Sequence, residues 1–144
     1  MQETDFYAEG PAFSSLLRYL GGVLGALVAL RSLSLIVMAD LPALPLLGWG
    51  LVLGANLIVM ITVYYLWTAR VRIDQAGIHQ DWLFPKTVSW NQIEYAKFIG
   101  IPGAQRLVVR LKNGGAMGFL KSFNAGSPLL VARFRAIARA YPFR

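Results

Sequence analysis

Cysteine is absent from the 144 residues, so no disulfide, thiolate nucleophile or cysteine-ligated metal can be built from this chain. Histidine is nearly absent. His79 stands alone, and a single imidazole makes no histidine cluster for a metal. Acidic residues are scarce, and their placement is uneven. Of the seven, only Asp74, Asp81 and Glu94 lie in residues 70–144, against twelve of the fourteen Lys and Arg. The C-terminal half is therefore strongly basic. Charge of either sign is missing altogether from Leu44 to Trp67, a run of 24 residues. That exceeds the ~20 apolar residues a helix needs to cross ~30 Å of hydrocarbon.

The apolar excess, with a mean hydropathy of +0.52, is concentrated before residue 68. A first span is expected from Leu16 to Met38, interrupted by Arg31. Asp40, Pro42 and Pro45 then mark a tight turn into the second span, giving an antiparallel hairpin over residues 16–67. The preceding residues 1–15 carry Glu3, Asp5 and Glu9 ahead of any basic residue. A cleaved signal sequence, which wants a basic start, is not expected. They are read as an N-terminal tail. Arg18 at the start of the first span, and Arg70 and Arg72 just after the second, place both termini on the cytoplasmic side by the positive-inside rule. Tyr19, Tyr64, Tyr65 and Trp67 fall at the same inner boundary, where interfacial aromatics belong, and Trp49 at the outer one.

Small residues recur at fourfold spacing within the spans: Gly21 with Gly25, Gly22 with Ala26, Gly50 with Gly54. Such pairs let helix backbones approach closely, either within the hairpin or against a partner helix. Arg31 and Asn56 are the polar residues inside the spans that need a partner. Arg31 lies ~10 Å from the outer turn at 1.5 Å per residue. It either snorkels to the interface or pairs with Asn56 or a partner protein. Asn56 fits an interhelical hydrogen bond better than a ligand site.

From residue 68 to 144 the pattern is that of short strands. Arg70–Asp74 alternates, and Gln75-Ala76-Gly77 turns the chain. Ile78–Phe84 follows with Ile78, Trp82 and Phe84 on one face. Thr87–Trp90 and Ile93–Ile99 continue the series. Arg106–Lys112 alternates with Leu107, Val109 and Leu111 inward. Asn113-Gly114 is a two-residue hairpin signal leading into Ala116–Lys121. These make about six strands. The period then changes. Ser127 suits an N-cap and Pro128 the first helical position, with Leu130, Phe134, Ile137 and Tyr141 on one stripe. The expectation is a membrane α-helical hairpin followed by an α+β domain, an antiparallel sheet or partial barrel capped by a C-terminal helix.

The run VRIDQAGIHQDWLFPKTVSWNQIEYAKF, with its Gly-Ile turn and the segment Val88, Trp90, Ile93, resembles the core of the bacterial pleckstrin-homology-like domain. The resemblance extends over roughly residues 68–141. It implies seven strands and a helix, one strand more than the six counted. It also implies a layout in which the domain follows membrane helices, as in a bacterial inner membrane. Phosphoinositide binding does not follow from it, because bacterial members largely lack the basic phosphate motif.

No catalytic constellation stands out. His79 and Asp81 share a strand face, but no nucleophile or polarising group accompanies them. The glycine turns lack the Lys-Ser/Thr ending of a phosphate loop. No enzyme activity, cofactor, metal or nucleic-acid partner is expected. Two readings remain open. In the first, the chain is an accessory or scaffold subunit of a membrane protein complex, docking through Gly21, Gly25, Gly50, Gly54, Arg31 and Asn56. In the second, it is a module for anionic phospholipid, contacted by Arg70, Arg72, Arg106, Arg110 and Lys112, each worth about 1 kcal/mol near such a surface.

Overall fold

The structure is a computed structural model that describes residues 7–38, 45–114 and 120–143. The described residues form two long helices, α1 (Ser15–Met38) and α2 (Leu46–Thr68), and an α+β unit of seven strands and one helix. Both are long and apolar enough to cross a membrane, and neither contributes a buried residue. Asp40 and Pro42 of the expected turn lie outside the described residues. Pro45 precedes α2 in extended conformation, which suits a residue that cannot donate a backbone hydrogen bond.

One strand was not anticipated. Ala8–Pro11, assigned from sequence to the N-terminal tail, forms β1 and pairs antiparallel with β2 (Arg70–Ile73), Ala8 opposite Ile73 and Pro11 opposite Arg70. With β3 (Gly77–Gln80) and β4 (Lys86–Ser89) it completes a four-stranded antiparallel sheet in the order β1-β2-β3-β4. A proline is tolerated in β1 because it is an edge strand. The seventh strand thus comes from ahead of the hairpin.

The second sheet is β5 (Ile93–Ile99), β6 (Arg106–Leu111) and β7 (Leu120–Asn124), also antiparallel. A single 3-10 turn at Trp90–Gln92 separates the sheets. Among the described residues, no strand ladder joins them into a closed barrel. Side chains bridge the gap between β4 and β7 instead. Lys86 Nζ donates to the Ser122 carbonyl at 3.2 Å, and Lys121 Nζ to the Thr87 carbonyl at 2.9 Å. Gln80, 2% exposed, accepts from the Asn124 amide at 3.0 Å, so a buried polar group and an edge amide satisfy each other.

The core lies between the two sheets and under α3 (Pro128–Ala140). Val71, Ile73, Ile78, Val88, Leu107, Val109 and Phe123 are fully buried from the strands, and Leu130, Phe134 and Ile137 from the helix. The expected helical stripe and the inward face of Arg106–Lys112 are therefore both present. Ser127 accepts from the Leu130 amide at 3.3 Å and Pro128 opens the helix. Trp90 donates its indole N–H to the Asp74 carbonyl at 2.9 Å and stacks on Tyr141, tying the β2–β3 turn to the end of α3.

Two expectations fail locally. Phe84 was placed on the inward face with Ile78, but β3 ends at Gln80 and Phe84 is 76% exposed. The Asp81 amide makes the last bond to β2, at the Arg70 carbonyl, and Pro85 ahead of β4 has no amide to give. Asn113-Gly114 is not the expected two-residue turn either. No non-glycine among the described residues has positive φ, and the β6–β7 register, with Arg110 opposite Leu120, does not centre on residues 113 and 114. Part of Ala116–Lys121 lies outside the described residues.

Candidate functional site

The two long helices pack through the first of the small-residue pairs. A Cβ at Gly21 would collide with Leu66 Cδ1, and one at Gly25 would lie 2.9 Å from Val63 Cγ2. These glycines are used inside the hairpin. Gly50 and Gly54 are not: among the described residues, nothing lies within 4 Å of a Cβ at either position. Asn56 Nδ2 donates to Ser32 Oγ at 2.7 Å and to the Val52 carbonyl at 2.8 Å, an interhelical bond as expected, though its partner is Ser32 and not Arg31. Arg31 is exposed, and its guanidinium has no partner among the described residues.

At their domain end the helices are clamped from both sides. The Ala12 amide donates to the Ala69 carbonyl, which joins the residues where the chain enters and leaves the hairpin. Phe13 and Tyr65 both pack on Trp82, with ring centroids 5.4 and 5.3 Å apart. Tyr19 meets Trp67 edge-on at 5.5 Å, and the Arg18 guanidinium lies 5.9 Å from the Trp67 ring while its Nε donates to the Phe13 carbonyl. Ser14 Oγ donates to the Gly103 carbonyl at 2.9 Å. Sequence reasoning placed Tyr19, Tyr65 and Trp67 at this boundary. It missed Phe13, Trp82 and Gly103, which reach it only through tertiary folding.

The basic residues do not converge. Arg70 and Arg72 line one polar cleft with Glu9, His79, Asp81 and Lys86. Arg70 pairs with Glu9 at 3.0 Å and Arg72 with Asp74 at 3.1 Å. Arg106 and Arg110 belong to the other sheet, where Arg110 pairs with Glu94 at 3.1 Å and the Arg106 Nε is buried without a hydrogen-bond partner. Lys112 follows β6. Three of the five candidate lipid contacts are thus already held by carboxylates. Exposed ion pairs are weak, on the order of 0–1 kcal/mol, so a headgroup phosphate could compete for them.

His79 pairs with Asp74, not with Asp81 as its strand position suggested. Its Nε2 lies 3.2 Å from Asp74 Oδ1, and Nδ1 lies 3.4 Å from Thr87 Oγ1. Burial by itself pushes the Asp74 carboxyl up. The Ala76 amide, the His79 ring and the Gly77 amide outweigh it and hold the carboxyl below its ordinary value. This is an acid that closes a turn: it caps the Gln75-Ala76-Gly77 connection. No group of three or more metal-ligating side chains occurs among the described residues.

One further concavity is large enough to matter. A groove of about 690 Å³ runs between β5 and α3, with Lys97, Phe98, Arg135, Arg139 and Phe143 among its lining residues. β5 pairs only with β6, so its other edge faces this groove. The Ala96 amide there bonds to the Tyr141 carbonyl, and the Arg135 guanidinium lies 5.2 Å from the Phe98 ring.

Compared with protein-family models, curated proteins and solved structures, the chain matches none. Its function must be argued from its own geometry.

Proposed function

We propose that this chain is a non-enzymatic, membrane-embedded accessory or scaffold subunit, with α1 and α2 spanning the bilayer as a hairpin and the pleckstrin-homology-like unit held at the cytoplasmic surface. The observation that carries this reading is the division of labour among the small residues. Gly21 and Gly25 are consumed by packing α1 on α2, while Gly50 and Gly54 leave a second close-approach face of α2 with no described residue against it. Inside lipid, association depends on such close backbone contact because apolar burial supplies no drive. A hairpin alone has no use for that second face. β1 also bears on the hairpin's fate: removing α1 as a signal sequence would take with it a strand of the folded sheet.

Outside the bilayer, the basic groove between β5 and α3 offers a second docking surface. The test is native purification of the tagged full chain in mild detergent. The wild type should bring stoichiometric membrane proteins with it. Gly50→Leu with Gly54→Leu should lose them while the domain keeps its amide-exchange protection.

A second reading, a module for anionic phospholipid, is favoured by one observation: Arg70, Arg72 and Lys86 share a cleft directly after the end of α2. Recovery of the chain alone, carrying tightly held anionic lipid that salt removes, would support it over the first.

A further inference from the structure

Two loops of the domain are unusual for surface connections. Residues 82–85 read Trp-Leu-Phe-Pro and residues 100–104 read Gly-Ile-Pro-Gly-Ala, without one polar side chain between them. Loops carry polar residues because they face water. Here the apolar side chains are turned outward. Leu83 is 52% exposed, Phe84 76% and Ile101 49%. Exposed apolar groups clustered in this way mark a surface that something covers.

Their position says what covers them. Trp82, next to Leu83 and Phe84, packs on Tyr65, which lies three residues before the end of α2, or about 4.5 Å along the helix at 1.5 Å per residue. The first residue of the loop therefore lies level with the last turn of α2. The second loop reaches the other helix. A Cβ at Gly103 would lie 3.5 Å from Leu16 Cδ2, and Leu16 is the second residue of α1. Ser14 Oγ fixes the same loop through the Gly103 carbonyl. Gly103 makes this close turn with φ of +77°. Each loop is thus anchored level with the foot of one helix of the hairpin.

We infer that the 82–85 and 100–104 loops are a lipid-contacting face of the domain, with Leu83, Phe84 and Ile101 seated in the boundary between headgroups and acyl chains of the leaflet from which the hairpin emerges. This rests on the reading that α1 and α2 span a bilayer. Depth is limited by chemistry. Irregular backbone cannot enter the hydrocarbon proper, because its amides and carbonyls would lose their water, so the loops stop at the interface. Trp82, Tyr65 and Trp67 fit that depth, where aromatic rings with one polar atom are favoured. The contact is apolar and needs no particular headgroup. Its consequence is orientation. Held by both helices and by two loops, the domain presents a fixed side to the membrane and leaves the β5–α3 groove a fixed aspect toward other proteins.

The absence of cysteine makes the test clean, since any introduced cysteine is unique. Nitroxide labels are placed one at a time in the full chain, by Phe84→Cys, Ile101→Cys, Ile58→Cys in mid α2, and Asn113→Cys in the exposed turn after β6. Each is reconstituted in liposomes of phosphatidylcholine with no other protein. Relaxation by oxygen, which concentrates in lipid, is compared with relaxation by a water-soluble nickel chelate. Labels at 84 and 101 should follow position 58, with oxygen dominating, while 113 follows water. If 84 or 101 matches 113 while 58 reports lipid, the proposal falls and the spanning hairpin stands. That is also the result if a partner protein, and not lipid, covers the loops. If 58 itself reports water, the spanning reading falls and this inference with it.

Discussion

The backbone amide of Ala12 donates to the carbonyl of Ala69 over 2.9 Å, so the residue where the chain leaves β1 for the hairpin is tied to the one where it returns. Both are buried, Ala12 wholly so. The domain is consequently discontinuous in sequence: its first strand and the other six are separated by two helices, yet the break closes on itself. An insertion with adjacent ends disturbs its host little, and the host should fold without it.

That gives the first prediction. A chain in which residues 14–68 are replaced by a short Gly/Ser linker, joining Phe13 to Ala69, should fold as a cooperative unit. A chain beginning at Ala69 lacks β1 and should be less stable by at least about 2 kcal/mol, because Val71, Ile73 and Leu130 lose cover and β2 becomes an open edge. Thermal unfolding of the two, with amide exchange of Arg70–Ile73, checks it. Equal stability would mean that β1 is decorative.

Asn56 and Ser32 supply the second. Their side chains meet at 2.7 Å between α1 and α2; with the hairpin in a bilayer, as proposed, no water competes for that bond. Interhelical hydrogen bonds of this type contribute on the order of 1 kcal/mol, because the dissociated helices also find partners. A double-mutant cycle of Asn56→Ala and Ser32→Ala, measured as unfolding in lipid bicelles, should return a coupling near that size. Asn56→Ala alone should cost less than Gly21→Leu, which forces Leu66 out of the hairpin interface.

Much of this architecture is legible in the chain, and the misses share a cause. The uncharged run to Trp67, the alternation of Leu107 and Val109 and the stripe of Leu130, Phe134 and Ile137 are local patterns with local consequences. β1 is four residues reading Ala-Glu-Gly-Pro, without a β-branched or aromatic residue, and its partner lies some sixty residues away across the hairpin. Gly10 is there for α3: a Cβ would lie 2.9 Å from Ser127 Oγ, a contact no sequence window contains. Likewise, strand parity puts His79 with Asp81, but cross-strand pairing sets it opposite Arg72 and within reach of Asp74. The exposed Phe84 belongs to the same class. Its apolar character is visible in the sequence, and only the fold reveals that it is exposed rather than buried.

Asp74 makes stability depend on pH. Its folded carboxyl titrates below its unfolded value, since the Ala76 and Gly77 amides and His79 favour the anion more than burial opposes it. The depressed value means that the stabilisation is complete above the unfolded value and is lost as pH falls through the folded one. Asp74→Asn should therefore lower the unfolding temperature at neutral pH, by the equivalent of about 1–2 kcal/mol for weakened bonds to a charged acceptor. The gap between variant and wild type should close progressively in acid, below the ordinary carboxylate range. Parallel melting curves across that range would show that the turn does not depend on the charge.

Gly77 and Gly126 should fail differently although both are small residues at tight places. Gly77 has φ of +151°, and a Cβ would strike the Val88 carbonyl, so Gly77→Ala combines backbone strain with the loss of the β3–β4 ladder. Gly126 needs no unusual φ. A Cβ there would strike the Phe13 and Pro11 carbonyls, and its amide already donates to Pro11 at 2.9 Å. Both substitutions should cost about 1–3 kcal/mol or more, as overpacking against rigid backbone does. Their amide-exchange signatures separate them. Gly77→Ala should free Gly77–Gln80 and Lys86–Ser89 while β1 stays protected. Gly126→Ala should release Ala8–Ala12 first and, by loosening Ala12 from Ala69, let the hairpin move against the domain. Under the proposed membrane contact, a nitroxide at position 84 would then lose its fixed depth in Gly126→Ala, linking the strand ahead of α1 to the 82–85 loop.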